Sequence, residues 1–203
     1  MAATVLLQRV SSSKAFLSTA FLPPVEYFSA LSKYSACVDA CEHYSKQSYR
    51  NRACILTACG PESLIVPIVH DGHKLISEIR VDYTTPWLRR MKYAIDTAYL
   101  SSPFYEYYRD DFFALLDEKP EMLWEMNRRL ILWFCERIGV EAPGFGECKG
   151  EGEDLRALIH PKKAAVYESK PYWQVFSDKF GFTPNLSIVD LLFNEGPESV
   201  RYL

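Results

Sequence analysis

The sequence predicts an α+β fold, a small mixed sheet from the first half of the chain covered by helices from the second half. Three observations predict it. Short apolar or alternating runs bounded by turn residues fill positions 15–81, a helical period replaces them from Pro86 to Ile138, and a last apolar stretch closes the chain at 185–194. An α/β arrangement is the alternative, because an opening strand–helix–strand unit would be parallel.

Element by element, Ala15 to Leu22 is apolar and partly alternating, and Pro23-Pro24 ends it because neither proline can donate to a ladder. Val25 to Ser32 places Tyr27, Phe28 and Leu31 at helical spacing, and Ala36 to Ala40 returns to strand-like composition. The polar stretch 42–52 separates these from two further strands, Ala53 to Ala58 and Leu64 to Val69. Asp71-Gly72 then predicts a tight hairpin between Leu64–Val69 and the alternating run Leu75–Val81. After Pro86, Trp87, Met91, Ile95 and Ala98 fall on one helical stripe. Helices over Phe104–Leu116 and Glu121–Ile138 follow, the latter stopped by Gly139. Residues 140–154 carry four glycines and no periodicity, which reads as a mobile loop of the kind that forms lids. Ser187 caps a closing helix that Gly196-Pro197 ends.

At 203 residues the chain suffices for one hydrophobic core, so a single domain over 1–203 is expected. A net charge of -3 leaves no basic excess for a phosphate-dominated grip on nucleic acid. No run approaches the roughly 20 apolar residues of a membrane helix. Met1 to Lys14 lacks the apolar core of a secretory leader, so a cytoplasmic location with reduced thiols is expected. Cys37, Cys41, Cys54 and Cys59 lack the tight Cys-x2-Cys knuckle of structural zinc sites, and no metal site is predicted.

Phosphate-cradling glycine loops, zinc-protease helices and hydrolase elbows are all missing from the sequence. What stands out is the loop Glu42 to Arg52, which mixes acid, imidazole, phenol, amine, amide and guanidinium between two predicted strands. Arg50 and Arg52 as forked donors and Lys46 as a point charge would hold an anionic ligand, with Tyr44, Gln47 and Asn51 beside them; a solvated connector is the plainer reading. His70 and His73 flank a turn and read as solvated. His160-Pro161-Lys162-Lys163 forms a chain reversal whose imidazole and amines are a candidate base and phosphate contact, or a surface turn. Asp190 follows the cap Ser187 and reads first as a helix N-terminal carboxylate.

Five runs in order resemble the WbqC-like family: Leu22–Phe28, Tyr44–Arg52, Leu64–Pro67, Ala98-Tyr99 with Pro103–Tyr108, and Leu186–Gly196. The resemblance runs from about residue 16 to the C-terminus. It implies a role in surface-polysaccharide biosynthesis of the O-antigen type, with transfer of a small acyl group such as glycyl to a sugar; a non-catalytic sugar- or protein-binding module is the alternative. A sugar or nucleotide-sugar is the implied ligand, and no cofactor is indicated. On that reading Glu26 or Asp39 deprotonates the acceptor, and His160 is a further candidate base. On the alternative, a binding module, Tyr27, Tyr44, Tyr49, Tyr105 and Tyr107 would stack on pyranose faces, and the motifs add Tyr99, Asp190 and Asn194 to the ligand-binding set. The sequence departs from the family pattern at Ser18-Thr19, where many relatives have Gln-Pro, and at Met91, near which many carry a histidine.

Overall fold

A computed structural model describes residues 11–203. The expectation that residues 1–14 carry no leader falls for residues 1–10 outside the described residues. The chain opens with the parallel unit the sequence predicts: β1 (Ser11–Leu17), α1 (Val25–Lys33) and β2 (Tyr34–Asp39), with Ala15 opposite Ala36 and Leu17 opposite Val38. Ala15, Phe16 and Leu17 are buried in succession, as expected of a strand covered on both faces.

Two edge strands complete this sheet, and both come from the segment expected to be a mobile loop. β5 (Gly144–Gly146) joins β2 and β6 (Glu153–Asp154) joins β1, both parallel, in the order β5-β2-β1-β6. Strands of three and two residues leave no side-chain period to read. Main-chain bonds hold this segment in place, among them Leu155 N–H to Phe16 O and Ala40 N–H to Gly146 O.

A second, two-stranded sheet pairs β3 (Arg52–Thr57) with β4 (Gly60–Ile65) in antiparallel register. Its turn lies at Ala58-Cys59, where the Thr57 hydroxyl donates to Gly60 O and accepts the Cys59 N–H. The hairpin expected at Asp71-Gly72 is not formed. The run Leu75–Val81 divides its bonding among three partners instead: Leu75 bridges His43, Arg80 bridges Met122, and Val81 bridges Ile68, with a single 3-10 turn at Ile76–Glu78 between them. Alternation in that run therefore reflects contact with several elements and not one ladder.

The helices α2 (Trp87–Tyr99), α3 (Tyr105–Asp117) and α4 (Leu123–Ile138) follow, and Trp87, Met91, Ile95 and Ala98 are all buried on the expected stripe. Gly139 ends α4 with φ +80, a left-handed C′ geometry that glycine adopts without strain. After the one-turn α5 (Ser177–Phe180), α6 (Ile188–Glu195) is buried on every side from Ile188 to Asn194 and forms the centre of the core. Phe193 packs edge-on against Tyr99, Tyr105 and Phe112, and Phe112 continues to Phe134 and from there to Phe28.

One junction fixes the geometry that matters below. The segment before α1 and the segment before α6 clasp each other through Val25 N–H to Leu186 O (2.9 Å), Ile188 N–H to Pro23 O (2.7 Å) and the Ser187 hydroxyl to Leu22 O (2.9 Å). Leu22 and Asn185 both adopt positive φ here, +41 and +54. Ser187 also donates its N–H to Cys54 O, which ties the β3–β4 hairpin to the same junction. Among the described residues, no helix is long and apolar enough to cross a membrane.

Candidate functional site

The parallel strands β1, β2 and β6 all deliver polar residues at their carboxyl ends, the edge where open parallel sheets bind ligands. Ser18 and Thr19 follow β1, Asp39 ends β2, and Asp154 ends β6 with Arg156 just beyond. Glu42 joins them: one carboxylate oxygen accepts the Thr19 N–H at 2.9 Å, and the other accepts the Ser18 hydroxyl at 2.8 Å and pairs with Arg50. Arg50 donates also to Ser18 Oγ at 2.8 Å, and its carbonyl accepts Asn127 Nδ2 at 2.8 Å. Burial raises the Glu42 carboxyl above its ordinary range, and the Arg50 charge opposes that shift. Asp39 accepts the Cys41 N–H at 2.9 Å and pairs with Arg156, which Asp154 grips from the other side.

Asp39, Glu42, Arg50, Asp154 and Arg156 line a crevice of about 640 Å³ together with His160 and Lys163. His160 Nδ1 accepts the Lys162 N–H at 3.2 Å, which leaves the ring proton on Nε2. Burial first, then Lys163, Lys162 and Arg50, lower its pKa, so the ring is neutral at pH 7 and its free nitrogen is a donor. Asp39, Glu42 and Asp154 each already hold a cation.

Across the strap His160–Lys163 lies a larger groove of about 1160 Å³, bounded by the β3–β4 hairpin, the strap and the segment 182–186. Its charges are arranged differently. Arg52 enters from the first position of β3, and among the described residues its guanidinium has no hydrogen-bond or ion-pair partner; its Nε is fully buried. A buried donor left unmatched costs about 1–3 kcal/mol. Among the described residues, Lys162 reaches only the Gln47 side-chain oxygen, Lys163 only the Ala157 carbonyl, and Glu168 is the single acidic residue on the lining. Tyr49, Tyr167 and Phe182 supply apolar wall. Glu26 sits directly behind that wall, 2% exposed, with its carboxylate accepting Asn185 Nδ2 at 2.8 Å and the Val166 N–H at 2.7 Å. Burial raises the Glu26 pKa, and those two donors partly offset it.

A family model described as the WbqC-like protein family matches residues 19–150 and 162–202. The chain belongs to the WbqC-like family. A curated relative, the uncharacterized protein Rv1507c of Mycobacterium tuberculosis, is 27% identical over 193 residues, covering 79% of this chain and 83% of its own. No solved structure matches.

In this WbqC-like chain the sequence-derived candidates divide into three groups. Asp39, Arg50 and His160 meet in the crevice, Gln47 and Arg52 line the groove, and Glu26 lies behind its wall. Tyr44 is half-buried against the core near both arginines, and Lys46 is exposed and lines neither cavity. The remaining candidates stand apart. Tyr27 is buried and donates to Ser18 O, Asn51 donates to Val66 O, and Tyr99 packs edge-on against Phe193. Asn194 donates to Asp190 O within α6, while Tyr107 is 79% exposed on α3. Tyr105 is buried with its hydroxyl on Asp96. The cap of α6 is Ser187 alone; the Asp190 carboxylate turns into the core, accepting from Tyr172 (2.7 Å) and Gln174 (3.0 Å), and burial pushes its pKa up to about 6.

Sequence reasoning overlooked Ser18, Asp154, Arg156 and Tyr167. Arg156 and Asp154 fall in or beside a stretch without period, and nothing in the chain order announces that Arg156 faces Asp39, 117 residues away. Among the described residues, no three His, Cys, Asp or Glu side chains gather as a metal ion would require, and all six cysteines are free thiols.

Proposed function

We propose that this protein is a transferase of surface-polysaccharide assembly, of the O-antigen type, which moves a small acyl group such as glycyl onto a sugar held in the larger groove. The observation that carries this reading is the set of three cations, Arg52, Lys162 and Lys163, that face the groove with no carboxylate partner among the described residues, in a chain of net charge -3. Arg50, committed to Glu42, supports the crevice, so the anionic part of the ligand falls to those three. Gln47 and Asn185 are placed for sugar hydroxyls. Glu26, with its raised pKa, takes the acceptor's proton once the Val166 N–H gives way. The acceptor oxygen or nitrogen then bonds to the acyl carbon while the donor's leaving group departs with its bonding pair. Asp39 holds Arg156 instead of serving as a base, and His160 lines the crevice on the other side of the strap, outside the groove that holds the sugar.

A second reading, a sugar-binding module without turnover, is favoured by one observation: the carboxylates Glu26, Asp39 and Glu42 are all engaged. Turnover decides between them. Incubation with activated glycine and amino- or hydroxyl-sugars should consume the donor and yield a mass-shifted sugar. Saturable sugar binding with no donor loss would leave only the module.

A further inference from the structure

The charge arrangement of the groove goes further than a generic anion, and this step rests on the reading of the groove as the ligand site. We infer that the groove takes a diphosphate ester, with its phosphates on Arg52, Lys162 and Lys163 and its organic group against Tyr167 and Phe182. A single carboxylate is satisfied by one forked guanidinium. Here three cations come from two separate elements, Arg52 from β3 and the lysines from the strap, and all face one cavity. That spread suits a ligand with several negative charges distributed over two linked centres. The groove, at about 1160 Å³, exceeds the roughly 300–1,000 Å³ of ordinary small-molecule pockets, so the anion is one end of something larger. Aromatic side chains on the same wall provide flat apolar area for that remainder.

The resting contacts agree with this assignment. Lys162 is parked on a neutral amide oxygen from Gln47, which itself holds φ +57, and Lys163 on a carbonyl; a phosphate oxygen outcompetes both as an acceptor. Arg52 has no alternative partner among the described residues, so the folded chain gains nothing from its charge until a ligand arrives. A side chain kept at a cost to the fold is the mark of a group reserved for binding.

Isothermal titration of the full chain tests the inference with uridine and adenosine diphosphates, farnesyl diphosphate, inorganic pyrophosphate and free uridine as one set of probes and neutral sugars and amino acids as a second. At least one ester is expected to bind about tenfold or more tightly than pyrophosphate, and Arg52→Met or Lys162→Met is expected to weaken it about tenfold or more. Arg90→Gln, on the exposed face of α2 and outside the groove lining, should leave binding unchanged. Arg52→Met should melt at the same temperature as the parent or higher, which separates lost binding from lost folding. A nucleotide preference would identify a nucleotide-linked ligand and a farnesyl preference a lipid-linked one. Equal binding of pyrophosphate and esters, or of free uridine and its diphosphate, overturns the inference. If neutral sugars or amino acids bind and no diphosphate does, the inference falls while the groove reading stands; if nothing in either set binds, both fall.

Discussion

Replacing Arg50 by methionine removes the cation from a pair in which both residues are 9% exposed. Arg50 donates to Glu42 and to Ser18, and each such charged hydrogen bond contributes about 1.5–3 kcal/mol net. The sum agrees with the roughly 3–5 kcal/mol lost when one partner of a buried ion pair is deleted. Glu42 would keep the Thr19 N–H and the Ser18 hydroxyl but lose the charge that opposes its desolvation. Its pKa, already raised, would climb further, so protonation would relieve the variant at low pH. Stability should therefore fall by about 3–5 kcal/mol at pH 7, and the deficit should shrink as pH drops through the variant's folded pKa for Glu42. Urea unfolding followed by tryptophan fluorescence measures both, and the double variant with Glu42→Gln should cost clearly less than the two single changes added. A deficit below about 1 kcal/mol at pH 7, or strict additivity, would refute the assignment of this pair as the support of the crevice.

Other outcomes follow from the same structure. At Gly196, φ is +56 and an added Cβ would lie 2.5 Å from the Phe104 ring, so Gly196→Ala should lower stability by about 2–4 kcal/mol in thermal or urea unfolding. Asp190 has its pKa raised from 3.8 to about 6 by burial, a penalty on the ionised form that is absent below pH 4 and complete above pH 6. Asp190→Asn should remove it, gaining about 3 kcal/mol relative to the parent between pH 4 and pH 7 in paired denaturation curves. Glu26→Gln places an amide donor opposite Asn185 Nδ2 or the Val166 N–H, so it should lose about 1–3 kcal/mol and also abolish any acyl transfer.

Much of the fold was legible because burial imposes a period. The stripe Trp87, Met91, Ile95, Ala98 could only face a core, and Gly139 could only stop α4; the strand expected over Ala15–Leu22 ends already at Leu17, ahead of Pro23-Pro24. β5 and β6 were illegible because main-chain bonds to β2 and β1, and not a side-chain pattern, make them strands. The hairpin at Asp71-Gly72 was over-read: a turn dipeptide permits a reversal, but the flanking run found better partners in His43, Met122 and Ile68. At the site, the loop 42–52 was visible as a concentration of polar chemistry, yet its two arginines go to different places. Glu42, eight residues earlier, claims Arg50, while Arg52, two residues later, stands on β3 facing the groove. Chain order carries no sign of that division, nor of the pairing of Glu26 with Asn185, 159 residues apart.

The most direct test of the groove as the ligand site is amide NMR mapping of the isotope-labelled chain during titration with a phosphorylated sugar. Saturable shifts concentrated at Arg52, Cys54, Val166 and Asn185, with little change at Tyr93 or Tyr107 on the outer helices, are the predicted result. Shifts centred on α2 and α3, or none at saturating ligand, would contradict it.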